Sequence, residues 1–426
     1  MKRAAIASLY AALIALLAFA QPLGAANVRL PSLPSRAQLN SPVSTADTST
    51  EHNWLLSLMP AARNMEAPDW VTEGLRAYYR VAADTVENPF RDEPVVIAPT
   101  PRAGELNSAP AIMRTDVVAL ASRYAATSST IFVGQPPIPW SDVFSTGYPG
   151  ICDFWVNINA VKALQMSLPA GVYTSATAYV SSSGVHPAIR VDYAPAGAGH
   201  YFTWLFDSDT GLVLYQAEWI VLKDDRYAHV VVAEFVSKRY VTLPWTSGVA
   251  PSWVVPGTSF SYQGSIRTWS PATGFSLPIP AVLNVEILSA DRKWSSVRIQ
   301  RMFSGAMEDS AIQAHSGTGT LTGGFWIPRT GLLKMEAGDI LDAFDPVIGS
   351  TVEVAYVGYA SYNSPVVTIF EWAEKYKRAW IYRIDDGMLL YWLDEKVVDP
   401  STGTVQRAEW QLIEDRPEEP EVSPTP

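Results

Sequence analysis

The sequence predicts a mostly β protein: a tandem duplication of two antiparallel-sheet domains, half-barrel or sandwich-like, with few helices. The first observation behind this is an internal match. Trp204-Leu205-Phe206-Asp207-Ser208-Asp209-Thr210-Gly211-Leu212-Val213-Leu214-Tyr215 aligns without a gap to Trp380-Ile381-Tyr382-Arg383-Ile384-Asp385-Asp386-Gly387-Met388-Leu389-Leu390-Tyr391, 176 residues on. The second is that three further landmarks keep the same order. Pro68-x-Trp70-Val71-x-x-Gly74 with Tyr79 matches Pro251-x-Trp253-Val254-x-x-Gly257 with Tyr262, Phe154-Trp155-Val156 matches Phe325-Trp326-Ile327, and Ala233-Glu234-Phe235 matches Ala408-Glu409-Trp410. Trp is only 15 of 426 residues, so three Trp–Trp matches in register point to one duplicated unit of ordinary domain size. The third is local pattern: β-branched and aromatic runs separated by turn residues at antiparallel spacing.

In chain order, residues 1–26 read as a signal peptide. Lys2-Arg3 forms the basic region, Ala4 to Leu17 is apolar but for Ser8 and Tyr10, and small residues allow cleavage after Ala20 or Ala26. The expectation is an exported chain, periplasmic or extracellular, with no integral membrane span after cleavage. Residues 27–66 form a Ser/Thr/Pro-rich leader, 67–245 the first β domain, 246–414 the second, and 415–426 an acidic, Pro-rich tail. Pro244 to Pro251 is the junction between the domains. Cys152 is the only cysteine, which excludes an intrachain disulfide, and its apolar neighbours suit a buried small side chain. The net charge is −11, and −13 once Lys2 and Arg3 are removed. With no basic patch, nucleic acid and anionic headgroups are disfavoured as partners.

Within the domains, Tyr227–Val236 and Thr351–Tyr359 read as strands, and the spacing of Val117, Leu120, Ala121 and Tyr124 predicts a helix capped by Thr115 or Asp116. That helix falls in the 84 residues between Trp70 and Phe154. The corresponding gap from Trp253 to Phe325 is 72, so the first unit carries an insertion there. The repeated twelve residues predict a β-hairpin. Trp204 and Phe206, or Trp380 and Tyr382, share one face of the incoming strand. Asp207 to Gly211, or Asp385-Asp386-Gly387, supplies the turn, and Gly takes its positive φ.

An aromatic strand, an acidic turn ending in Thr-Gly and an aliphatic return strand resemble the hairpins of the lipoprotein-carrier superfamily. Those are exported half-barrels in which a curved antiparallel sheet wraps a helical plug and binds acyl chains. The likeness covers about a dozen residues per unit. The family usually has one domain per chain with several helices, whereas this chain has two units. The resemblance implies an apolar concavity on each unit, and it carries over no site residue by motif.

Little else points to chemistry. There is no Gly-x-Ser-x-Gly, His-Glu-x-x-His, Walker loop or Ser-x-x-Lys, and the five histidines have no metal-ligand spacing. Gly317 to Gly324 reads as a loop rather than a phosphate cradle, and His229 as a sheet residue. Asp339, Asp342 and Asp345 are close enough in sequence to suggest calcium, without EF-hand spacing. Glu218, Glu234 and Glu409 are the carboxylates a hydrolase would need to pair across one cleft. No cofactor or metal is expected. Three readings stay open: a non-enzymatic protein binding an apolar small molecule or lipid, with Trp204, Phe206, Trp380 and Tyr382 as its contacts; an envelope or surface module, glycan-binding through exposed Trp; and a secreted hydrolase.

Overall fold

The computed structural model describes residues 54–413 apart from 92–96, 109, 182–183, 196–198, 243–247, 304–305, 309–314, 317–323, 360–363 and 400. The segment expected to be a signal peptide, most of the expected leader, the Gly317–Gly323 stretch and the acidic C-terminal residues lie outside the described residues. The chain divides into two compact units at Tyr240/Val241. Each is built on one large, open antiparallel sheet.

Unit 1 begins with the short helix α1 (Trp54–Leu58) and continues through β1 (Leu75–Glu87), β2 (Ala111–Ala121), β3 (Tyr124–Val133) and β4 (Ile138–Gly147). A small hairpin follows, β5 (Ile151–Cys152) with β6 (Trp155–Val156), then helix α2 (Ile158–Met166). Five strands complete the unit: β7 (Val172–Ser181), β8 (Gly184–Tyr193), β9 (His200–Asp207), β10 (Val213–Val221) and β11 (Tyr227–Tyr240). The sheet order is β4-β3-β2-β1-β11-β10-β9-β8-β7, so two meanders meet where β1 pairs with β11.

The helix expected at 115–124 is not there. Those residues form the end of β2, the Ser122-Arg123 turn and the start of β3. Residues 114 to 119 are buried on both faces, which erases the polar alternation of a strand and leaves apolar spacing that also fits a helix. The helix that does form, α2, is nine residues long. Asn157 caps it by accepting from the Asn159 N–H at 3.0 Å, and Ala160, Val161 and Leu164 are buried.

Unit 2 repeats the arrangement: β12 (Ser259–Ser270), β13 (Gly274–Phe275), β14 (Ile279–Ala290), β15 (Ser295–Phe303), β16 (Ala306–Glu308), β17 (His315–Ser316), α3 (Arg329–Leu332), β18 (Ile340–Asp342), β19 (Thr351–Gly358), β20 (Val366–Ala373), β21 (Tyr376–Arg383), β22 (Leu389–Asp399) and β23 (Thr404–Leu412). Its order is β16-β15-β14-β12-β23-β22-β21-β20-β19-β18. Strand for strand, β1, β2 and β3 correspond to β12, β14 and β15, and β7 to β11 correspond to β19 to β23.

The repeated residues are the ties that fix this topology. Tyr79 donates its hydroxyl to the Val213 carbonyl at 2.8 Å, and Tyr262 does the same to Leu389 at 2.9 Å. Burial raises the pKa of both phenols, so both stay protonated as donors. The Trp70 indole N–H donates to Thr210 O at 2.8 Å, and Trp253 to Asp386 O at 2.9 Å. Trp155 bridges to Leu212 and Trp326 to Met388. Gly211 (φ 72°) and Gly387 (φ 73°) close the hairpins, and any Cβ there would strike the carbonyl of Val156 or Ile327. Two segments distant in sequence therefore converge on one hairpin in each unit.

One sequence match needs correcting. Tyr215 pairs with Glu234, and its equivalent Tyr391 pairs with Gln411, not Glu409. Arg80 pairs with Glu234 and its equivalent Gln263 with Gln411, which gives the same register. The Ala-Glu-aromatic triplets are thus two residues out of structural register. A slip of two leaves every side chain on its face, so pattern alone does not detect it.

Candidate ligand site

Each sheet has two faces, and the aromatics singled out by the repeat lie on the one packed against the hairpin and helix. Trp204 is 2% exposed, Phe206 0%, Trp380 1% and Tyr382 1%. Trp204 stacks on Phe202 at 5.3 Å between ring centroids, in a cluster with Val161 and Leu164 of α2. Trp380 and Tyr382 sit in the unit 2 core with Trp326 and Tyr262. All four are enclosed by the protein's own side chains. The Trp204 and Trp380 indole N–H groups have no acceptor among the described residues, so both rings are held by shape.

The opposite face separates the two units. In unit 1 one row across it runs Arg80, Glu234, Tyr215, Leu205, Arg190. The next rows are Ala82, Val232, Ala217, Thr203, Asp192, and Asp84, Val230, Trp219, Tyr201. In the connection from β1 to β2, residues 88–91, 97–108 and 110 are described, and contacts from Phe90 and from Ala98 to Ser108 lay it across these rows as a strap. Phe90 stacks on Tyr201 at 3.6 Å and meets Trp219 edge-on at 5.6 Å. Arg190 donates to Ala98 O at 2.5 Å while its guanidinium holds Asp192, and Tyr215 donates to Pro101 O at 3.0 Å. Arg102 pairs with Glu234 at 3.1 Å and lies over the Tyr179 ring at 4.8 Å. Asp84 accepts from the Asn107 N–H at 2.8 Å, and Ser108 Oγ accepts from the Ala83 N–H at 3.1 Å. Ala82, Val232, Ala217 and Trp219 are buried beneath the strap. Burial, reinforced by Glu234, raises the pKa of Tyr215.

In unit 2 the corresponding connection, residues 271–278, is a short turn holding β13, and nothing comparable crosses the face among the described residues. The equivalent rows are Gln263, Gln411, Tyr391, Ile381, Thr368, then Ser265, Glu409, Leu393, Ala379, Phe370, then Arg267, Arg407, Glu395, Lys377, Trp372. A groove of about 620 Å³ lies on the first two rows, lined by Gln263, Val282, Met302, Tyr391, Glu409 and Gln411. Gly264 allows the Trp410 ring to close its floor, since a Cβ there would meet that ring. Glu409 accepts from Arg407 Nε at 2.5 Å, Arg267 at 3.0 Å and Tyr391 at 3.3 Å. Partial burial pushes its pKa up, but Arg407 and Arg267 outweigh that and hold it below the usual carboxylate range. Beside the groove, Phe275, Leu277 and Ile279 are 56%, 88% and 51% exposed.

The other sequence candidates do not assemble. Glu218 pairs with Val231 and Glu234 with Tyr215, three positions apart on β10, so these carboxylates face opposite sides of one sheet. Glu409 belongs to unit 2 and is held by two arginines. Asp345 accepts from the Val347 and Ile348 N–H groups, and Asp339 from the Glu336 N–H. These are turn contacts, and no group of three metal-ligating side chains occurs among the described residues. His229 sits in β11, where burial lowers its pKa. Trp140 and Trp372 are the exposed tryptophans among the described residues, and they lie on different units. Cys152 is buried.

Comparison with known proteins leaves the family open. No family model and no curated protein matches the chain. Among solved structures, MucB, crystallised in complex with MucA(peri), is 9% identical over 84% of this chain and 92% of its own, with a TM-score of 0.20. A DUF3598-family protein of unknown function from Nostoc punctiforme PCC 73102 is 8% identical over 80% and 96%, with a TM-score of 0.13. At these scores neither likeness bears on function. No helix among the described residues is long and apolar enough to cross a membrane.

Apart from Glu409, which stood out as a carboxylate, the groove residues carry no motif that the sequence announces. The one signal was the longer spacing between Trp70 and Phe154. It marked the strap, and through the strap the face that no described residue of unit 2 crosses in the same way.

Proposed function

We propose that the chain is an exported, non-enzymatic binding protein whose second unit takes a ligand bearing apolar groups on its uncovered sheet face. One observation carries this reading: the same face is filled by the protein's own strap in unit 1 and forms a groove of about 620 Å³ in unit 2. That volume falls within the range of small-ligand sites. Val282 and Met302 offer apolar contact on one side, and Gln263, Gln411 and Tyr391 fix orientation on the other. The exposed Phe275, Leu277 and Ile279 extend the apolar surface beyond the groove. Opposed faces for Glu218 and Glu234 remove the carboxylate pair a unit 1 hydrolase would use. The basic region and apolar run of residues 1–26 support export.

Native mass spectrometry of the chain purified gently from its own host tests the reading. The expected spectrum shows an added mass on the wild type that is absent from Met302→Lys. A wild type that carries no added mass, or a variant that keeps it, overturns the proposal.

A further inference from the structure

We infer that the ligand of the unit 2 groove is an extended polypeptide segment of a partner protein, neutral where it crosses the groove and apolar in its flanking side chains. This rests on the binding reading above and names its ligand class. The strap of unit 1 shows what this face accommodates: irregular chain, held through the Ala98 and Pro101 carbonyls, the Asn107 N–H and the Arg102 side chain. Tyr215 donates to the Pro101 carbonyl, and Tyr391 is its structural equivalent on the groove floor. In unit 2 the Tyr391 hydroxyl has no strap carbonyl among the described residues; it makes a long, 3.3 Å bond to Glu409 and also meets Arg407.

The substitutions between the copies give the partner's chemistry. Arg80 and Glu234, the second of which pairs with Arg102 of the strap, become Gln263 and Gln411. Two exposed carboxamides replace the charges, and each supplies a donor and an acceptor. That pair matches a peptide backbone and removes the call for an arginine. Glu409 is already neutralised by Arg267 and Arg407, so it asks for no cation either. Apolar side chains of the segment would lie on Val282 and Met302 at one end and reach Phe275 and Leu277 at the other.

The test selects a phage-displayed library of random dodecapeptides on the immobilised full chain. One enriched peptide is then synthesised and titrated by fluorescence anisotropy, with palmitate titrated in parallel. The expected result is saturable peptide binding that weakens at least tenfold in the Gln263→Ala/Gln411→Ala double variant and severalfold in Tyr391→Phe. Circular dichroism should be unchanged, because these side chains are exposed or half-buried. Palmitate binding that is lost in Met302→Lys, with no peptide binding, overturns the polypeptide inference and leaves the binding reading standing. A peptide whose affinity ignores all these variants overturns the inference. So does a dimer that the double variant dissociates, which would give the groove to a second copy. Failure of both probes on the wild type overturns the inference and the binding reading together.

Discussion

Unit 1 and unit 2 share one sheet arrangement, yet one face of that sheet is core in the first and, among the described residues, surface in the second. Where Ala82, Val232, Ala217 and Trp219 underlie the strap, unit 2 has Ser265, Glu409, Leu393 and Glu395. The exchange follows from burial. Apolar residues are stable at those positions only if chain covers them, and charged residues only if water or a counter-ion reaches them. The opposite face shows no such divergence, because both copies need Tyr79 or Tyr262, Trp155 or Trp326, and the hairpin glycine to close their topology. Duplication thus preserved the residues that tie the fold and released the other face to differ.

Four substitutions probe this contrast. Phe90→Ala removes the ring held between Tyr201 and Trp219, and should destabilise the chain by about 3–5 kcal/mol in urea denaturation. A loss below about 1 kcal/mol would mean the strap merely rests on unit 1. Tyr79→Phe and Tyr262→Phe each delete one buried hydrogen bond to the hairpin, at about 1–2 kcal/mol apiece. Similar losses that add in the double variant would confirm equivalent, independent ties; a strong inequality would break the symmetry of the two copies. Smallest is the effect of Glu409. Its depressed pKa stabilises the fold above the unfolded value near about 4.3, and that stabilisation is lost as pH falls through the lower folded value. Glu409→Gln should flatten the acid limb of stability by under about 1 kcal/mol, since the pair is partly solvent-exposed. An unchanged acid limb would show that the arginines do not hold it.

How much of this was legible in sequence depended on whether a residue's role was local. The hairpin at Trp204–Tyr215 and its copy were readable because alternation, Asp turn chemistry and Gly coincide within twelve residues. The end of β2 and the start of β3 read as a helix because residues 114 to 119, buried on both faces, show no polar alternation. Helix α2 was passed over because nine residues, three of them buried, give a faint pattern. The match of Glu234 to Glu409 failed by two residues, since strand register is set by neighbours such as Tyr215 and Arg80 that lie far away in sequence. For the site, Trp204, Phe206, Trp380 and Tyr382 stood out because they repeat, and they repeat because the core requires them. Gln263, Gln411 and Met302 converge only through sheet pairing, and no spacing announces them.

Ala217 and Leu393 occupy equivalent positions, the first buried under the strap and the second half-exposed beside the groove. The native chain has a single thiol, Cys152, and it is buried. Maleimide labelling of Ala217→Cys and Leu393→Cys in the folded full chain therefore compares the two faces directly. Rapid labelling at 393 with protection at 217 is the predicted result; equal rates at the two positions would contradict the account of one covered face and one open one.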